Sequence, residues 1–460
     1  MTTENTSEEK ITEIVSLQNA FFHKGNTLSN EFRKEMLLRL QKAISDREER
    51  IYEALWTDLH KSKEEAYLTE ISIVQSEVKN HLHHLSSWLK PQRRHTPLKM
   101  MPASSRIIKE PLGCALIISP WNYPVQLLLN PLVGCISAGC CAIMKPSPYV
   151  PHVSAVIGEM IRETFDEQHI AVVQGDRVVN AQLLNQRFDI IFFTGSPTLG
   201  RKVMEAAAKH LTPVILELGG KSPCIVDEEA NIKVAARRVA WGKTLNAGQT
   251  CVAPDYLLIH ESQEENFILE FGNAIRQLHG NRVQESRHYG RMVSDKAFDR
   301  VAAYLHDGTI VSGGHTDRND RYIEPTLLTN VPKEALVMQE EIFGPILPMI
   351  KFSETEEAIQ FINKREKPLA LYYFGKKKKG EDILRFTSSG GACINDVIMH
   401  LANEDVPFGG VGNSGMGKYH GKESFNAFSH DKAVIQTPIY IDLSFRYMPY
   451  KAFRWIKKLL

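Results

Sequence analysis

None of the seven cysteines belongs to a C-x-x-C pair, so the chain offers little support for a zinc site. No charge sign is in excess. Lys and Arg number 55 against 54 Asp and Glu, a net charge of +1, which gives no reason to expect nucleic acid or a strongly acidic partner. An odd cysteine count in a long chain without a recognisable signal peptide argues against a disulfide framework. It points to reduced thiols and a cytoplasmic location. No internal repeat or low-complexity linker is present. Residues 112–144 carry no charged side chain, which invites a membrane reading. Pro120, Pro124 and Pro131 interrupt that run, however, and Asn122, Gln126 and Asn130 sit inside it. A buried strand, a loop and a short helix are expected there instead. His81, His83 and His84 cluster on one expected helix. No Cys, Asp or Glu is read as completing a ligand set, so no metal is assigned.

At 460 residues the chain exceeds one comfortable core, and two or three domains are expected. With 43% hydrophobic and 24% charged residues it has the make-up of a globular protein. The first third reads as helical. Phe32, Met36, Leu40, Ala43 and Ile44 recur at helical spacing. Ile71, Val74, Val78, Leu82, Leu85 and Leu89 do so again, up to Pro91. From Gly113 short apolar runs alternate with helical segments. Strands are expected at 114–118, 141–145, 170–174, 189–194 and 213–217. Continuous apolar strands separated by helices predict a parallel sheet covered on both faces, a Rossmann-like unit of five strands. A second α/β region follows Gly219, with apolar strands at 256–260, 346–352 and 369–375. The run Lys376–Lys379 reads as a solvated turn.

Glu217-Leu-Gly-Gly-Lys-Ser-Pro-Cys224 puts a carboxylate at a strand end before a glycine turn. Asn246-Ala-Gly-Gln-Thr-Cys-Val-Ala-Pro-Asp-Tyr256 puts Cys251 in a loop of small residues, 34 positions further on. A thiol able to form a covalent adduct, paired with a carboxylate able to activate water, makes a two-step covalent mechanism. Asp189-Ile-Ile-Phe-Phe-Thr194 reads as a buried strand leading into Gly195-Ser-Pro-Thr-Leu-Gly200 and a helix. A glycine turn opening a helix suits a diphosphate, but a plain turn fits the same letters. The spacing is neither the common Gly-x-Gly-x-x-Gly nor a P-loop. Lys145 ends a buried strand, either facing a ligand or reaching solvent.

Both signatures resemble those of the NAD(P)-dependent aldehyde dehydrogenases. Lys209-His-Leu-Thr-Pro-Val-Ile-Leu-Glu-Leu-Gly-Gly-Lys-Ser-Pro-Cys224 resembles the class 3, fatty-aldehyde branch. The likeness continues at Pro120-Trp-Asn-Tyr-Pro124, Lys145-Pro-Ser147, Phe193-Thr-Gly-Ser196, Glu340-Glu-Ile-Phe-Gly-Pro345 and Pro407-Phe-Gly-Gly-Val-Gly-Asn-Ser-Gly-Met-Gly417. It implies a cofactor domain at 1–88 and 107–218, a catalytic domain at 219–415, and oligomerisation segments at 89–106 and 416–445 that form a small sheet in a homodimer. The implied activity is oxidation of a medium- or long-chain aliphatic or aromatic aldehyde to the acid, with NAD or NADP as cofactor. Cys251 would be the nucleophile. The Asn122 amide and the Cys251 N–H would hold the oxyanion, and Glu217 would activate water. Trp121, Lys145, Gly195, Ser196, Gly200, Leu218, Gly219, Glu341 and Phe343 would surround the cofactor. Without the resemblance, Phe343 reads as core and Glu341 as surface. His420 would either line the substrate pocket or make a structural hydrogen bond.

Pro148 departs from the family pattern, where Glu is common three positions after the motif lysine. A carboxylate there would repel a 2′-phosphate and Pro would not, which leaves NAD against NADP open. Acyl transfer to coenzyme A is a second enzymatic reading, and a catalytically silent protein on the same fold is a third. The presence of Cys251, Asn122 and Glu217 favours hydrolysis. The last stretch, 446–460, holds five basic residues and no acidic ones among aromatic and aliphatic side chains. Too short to span a bilayer, it fits either a packed tail or a helix lying on an anionic membrane surface.

Overall fold

The computed structural model describes residues 5–442, 446–450, 453 and 457. Most of the amphipathic pattern read in 446–460, including Arg454, Ile456, Lys458 and Leu460, lies outside the described residues. Helices Glu8–His23, Asn30–Asp46, Glu48–Leu59 and Ser72–Trp88 open the chain. Ser7 and Ser29 cap the first two by accepting from the amides of Lys10 and Phe32. The stripes expected from spacing face inward: Met36, Leu40, Ala43 and Ile44 are buried, as are Ile71, Val74, Val78 and Leu85. Each fully buried Leu or Ile contributes roughly 1.5–3 kcal/mol. A π-helical turn, Tyr67–Ile71, leads into the fourth helix.

The stretch around 112–144 is a strand, a loop and the helix Gln126–Ala138. Pro131 lies inside that helix, where it forgoes a single helical hydrogen bond and does not end it. The first sheet runs, edge to edge, Gly415–Met416, Val214–Leu218, Ile190–Gly195, Cys114–Ile118, Cys141–Lys145 and Ile170–Val172. Its last five strands are parallel and match the expected unit. A sixth, two-residue strand adds antiparallel to Val214–Leu218, Gly415 facing Glu217. The sequence order reverses between Cys114–Ile118 and Ile190–Gly195. In such sheets ligands bind at the carboxyl ends beside this reversal.

The second sheet has seven strands: Thr309–Ser312, Thr326–Thr329, Ile346–Phe352, Tyr256–His260, Pro223–Val226, Ala370–Phe374 and Gly391–Ile394. All but the first pair in parallel. The four-lysine run is solvated, with Lys376, Lys377 and Lys378 exposed, but it opens a helix and is not a turn. Lys377 begins the helix Lys377–Phe386, Lys376 pairs with Glu229, and Lys379 reaches buried Asp227 at 2.9 Å. Those acids offset lysines set unfavourably at a helix start. A third sheet is antiparallel: Gln92–Arg94, Ser104–Pro111 and Ser429–Gln436, with Ser104 opposite Gln436 and Pro111 opposite Ser429. Of the three histidines, His81 is buried and bonded to Ser137, Glu77 and the Gly421 carbonyl. Glu77, one helical turn earlier, is the acid the spacing argument overlooked. No metal-holding group of three ligands occurs among the described residues.

Candidate active site

A cavity of about 1180 Å³ opens at the carboxyl ends of the first sheet. Strand Cys114–Ile118 delivers Pro120, Trp121 and Asn122 to its wall, and Ile190–Gly195 delivers Thr194, Gly195 and Ser196. Val214–Leu218 delivers Glu217, Leu218 and Gly219. Cys251, Glu341 and Phe343 close it from the second sheet's side. Nine of the residues singled out in the sequence for catalysis or the cofactor therefore share one space, with Cys251 besides. Lys145 and Gly200 do not line it. Lys145 is buried, its ammonium bonded to the Pro146 carbonyl at 2.9 Å and its acidity shifted to about 8 by burial. Gly200 is buried in helix Pro197–Ala208. His420 is buried and stacked on Phe408 at 5.2 Å, and it lines a smaller, separate cavity with Trp88 and Asn80.

Cys251 is partly buried, and burial with Glu341 and Glu217 nearby pushes its thiol up to about 12. Glu217 is buried with neither carboxylate oxygen hydrogen-bonded, and burial pushes its carboxyl pKa well above the usual carboxyl range. Burial thus disfavours the charged form of both groups. Buried acceptors without partners cost roughly 1–3 kcal/mol each, so a carboxyl kept this way in a cavity is a candidate functional position. Asn122 is also buried. Its Nδ2 donates to the Gln249 carbonyl at 3.0 Å, which leaves one amide hydrogen uncommitted.

The cysteine loop is held from several sides. Asn246, Ala247 and Gly248 have φ of 49°, 51° and 75°. A Cβ on Gly248 would run into the Gly344 carbonyl, so the approach of the two loops requires glycine. Gln249 donates to the carbonyls of Asn246 (2.9 Å) and Arg291 (3.0 Å) and accepts from Val293 N (3.0 Å). Tyr123 and Thr250 share a hydroxyl bond of 2.6 Å. Sequence reasoning missed all of these. A polar residue beside a motif carries no pattern that names its partner.

The residues suit a dinucleotide. Ser196 caps helix Pro197–Ala208, whose start faces the cavity. Gly219 lies so close to Glu341 that a Cβ would collide with the carboxylate. Glu341 keeps one buried oxygen unpartnered, available to a ribose hydroxyl, and burial raises its carboxyl to about 8. Phe343 meets Trp121 edge-on at 5.3 Å. Arg300 donates to the carbonyls of Glu341 (3.2 Å) and Ile342 (2.8 Å), and Asp255 accepts from Ile342 N at 2.9 Å, which fixes this segment.

A Rossmann-like sheet with a cavity at its reversal, walled by a second α/β unit that supplies a cysteine, defines a dinucleotide-dependent oxidoreductase fold. The aldehyde dehydrogenase family model matches residues 1–434, and the chain belongs to that family. It is 48% identical over 442 residues to a 4,4′-diaponeurosporen-aldehyde dehydrogenase of Staphylococcus aureus, covering 95% of this chain and 96% of that one. It is 41% identical over 447 residues to the dimeric NADP-preferring aldehyde dehydrogenase of the dog, covering 96% and 98%. The solved substrate-bound Staphylococcus aureus AldH superposes with a TM-score of 0.96 at 47% identity, over 98% of this chain and 99% of that one. The protein is thus an enzyme that oxidises an aldehyde to the carboxylic acid with NAD or NADP as cofactor.

Proposed function

We propose that Cys251 attacks the aldehyde carbon, that the Asn122 amide and the Cys251 N–H hold the resulting oxyanion, and that Glu217 activates the water that releases the acid. The observation carrying this reading is the meeting, in one cavity, of an unpaired buried carboxyl, a thiol and an amide with a free hydrogen. Thiol addition gives a thiohemiacetal, and loss of its hydride leaves a thioester on Sγ. When bound, the dinucleotide supplies the hydride acceptor. Burial raises the Glu217 carboxyl above its usual range, and only its ionised form can take up a proton from water. Deacylation should therefore quicken as pH rises.

Trp121, Gly195, Ser196, Leu218, Gly219, Glu341 and Phe343 are the proposed cofactor contacts, with Lys145 and Gly200 supporting the wall from behind it. The corresponding division is 1–88 with 107–218 for the cofactor, 219–415 for catalysis, and 89–106 with 416–445 for pairing of subunits. The substrate class we favour is the medium- to long-chain aliphatic or aromatic aldehydes. The basic stretch 446–460 is a candidate for contact with an anionic membrane surface. Failure to co-sediment with anionic vesicles at low salt would discard that idea.

The roles separate in stopped flow. Cys251→Ala should lower turnover by about a thousandfold or more, the scale for loss of a covalent nucleophile. Glu217→Gln should give one burst of NAD(P)H per active site and then stall. A Cys251→Ala enzyme of near-normal turnover, or a Glu217→Gln enzyme without a burst, would require the roles to be reassigned.

A further inference from the structure

One N-terminal stretch grips both the Asn122 loop and the Cys251 loop. Lys61 and Glu70 are fully buried and pair at 2.6 Å. Lys61 also donates to the Asn122 carbonyl at 3.1 Å and lies 4.1 Å from the Tyr123 ring. The second carboxylate oxygen of Glu70 accepts from the amides of Val125 (2.8 Å) and Gln126 (3.2 Å), where helix Gln126–Ala138 begins. This fixes the loop carrying Asn122. Between the two, Glu65 sits on a short helix whose start Ser62 caps. Its Oε1 accepts from the Asn246 amide at 2.8 Å. Asn246 is the first of the three left-handed residues that lead to Cys251. Non-glycine residues in that region cost about 1–3 kcal/mol each and persist only when their surroundings hold them. Asn246 Nδ2 in turn donates to the Asn122 carbonyl at 2.8 Å, so that one oxygen receives both Lys61 and Asn246.

We infer that residues 61–70 form a brace that sets the Cys251 loop against the Asn122 loop, with Glu65 the positioning residue on the cysteine side. The inference rests on the reading of Cys251 as nucleophile. Buried charged pairs are weak stabilisers, because desolvation offsets their attraction. A role in geometry gives a reason for two carboxylates and a lysine to lie beneath an active site. The charged and titratable groups facing Glu65 are Lys61, Glu70 and Tyr123. Burial raises the Glu65 carboxyl to about 7 against the opposing pull of Lys61. An ionised acceptor holds an N–H more strongly than a neutral one, so the grip on Asn246 tightens as pH rises through neutrality.

The test uses the full-length enzyme with NAD(P) and compares Glu65→Ala with Glu65→Gln. Glu65→Ala should lower kcat by about tenfold or more, as small misplacements of reacting groups do, with KM for NAD(P) within about twofold of wild type. It should also change the rate at which iodoacetamide alkylates Cys251, read against Cys251→Ala as blank. Glu65→Gln, whose amide oxygen still accepts from Asn246, should recover most of kcat and lose any inflection near pH 7 in the rate of the NAD(P)H burst, a step that precedes deacylation by Glu217. Wild-type kcat and alkylation in Glu65→Ala would overturn the brace. If Glu65→Ala does not fold, Glu65→Gln decides alone, and an inflection near pH 7 in its burst rate unchanged from wild type would overturn it. Activity surviving in Cys251→Ala would instead sink the nucleophile reading and leave the two failures distinguishable.

Discussion

Glu341 shows how burial at this site couples to stability. Its carboxyl is raised from an ordinary 4.5 to about 8, chiefly by burial and then by Asp255. The folded chain thus keeps a proton that the unfolded chain releases between those values. The stabilisation from this group is complete below pH 4.5 and is lost as pH rises through about 8. Glu217 acts in the same direction. The melting temperature of the cofactor-free enzyme should therefore fall on going from pH 5 to pH 8.5. Glu341→Gln, which cannot ionise, should flatten part of that slope. Differential scanning fluorimetry across the range measures it, and a variant slope as steep as wild type would remove Glu341 from the account. The same uncompensated burial raises Cys251 and Glu217.

At the scale of elements, helix Pro197–Ala208 joins fold to site. Proline at its first position and Ser196 as cap fix its start at the cavity wall, and the Ser196 hydroxyl accepts from Leu199 N. Ser196→Ala should cost about 1 kcal/mol of stability. It should raise KM for NAD(P) more than it lowers kcat, since backbone amides at the helix start remain. A Ser196→Ala enzyme with unchanged melting temperature and unchanged KM would show the cap to be idle. This helix and its strand were legible in the sequence, because a strand buried on both faces is a continuous apolar run and Gly-Ser-Pro marks the turn. Residues 376–379 were legible only in part. Three of the four lysines are exposed as expected, but the string gives no sign of Asp227, Glu228 and Glu229, about 150 positions earlier, whose carboxylates offset lysines at a helix start. Lys61, Glu65 and Glu70 were missed for a like reason: on a helix-forming stretch, charged residues pattern as an outer face, and their partners at 122, 125 and 246 lie far along the chain. The motifs around Glu217 and Cys251 were readable because glycine and small residues hold the reacting side chain and its loop in one short string.

The whole molecule leaves apolar surface beside its three-stranded sheet. Leu98 is 87% exposed, Ile435 49%, Ile439 99% and Tyr440 81%. Isolated exposed leucines are ordinary, but several large apolar side chains exposed around one small sheet suit an interaction surface. The strand Ser429–Gln436 pairs along one side only, with Ser104–Pro111, so its other backbone edge has no strand partner among the described residues. The proposed occupant is a second copy of the chain, brought together by the segments 89–106 and 416–445. A specific interface buries roughly 800 Å² on each partner, and no acidic side chain belongs at its apolar centre. The wild-type enzyme should therefore sediment as a dimer at micromolar concentration, and Ile435→Asp combined with Ile439→Asp should shift it towards monomer. Neither isoleucine lines the cavity at the ends of the first sheet, so the variant monomer should retain a cofactor-induced rise in melting temperature. A wild type that sediments as monomer at all concentrations, or a double variant that sediments as wild type does, would show that this surface does not join two subunits.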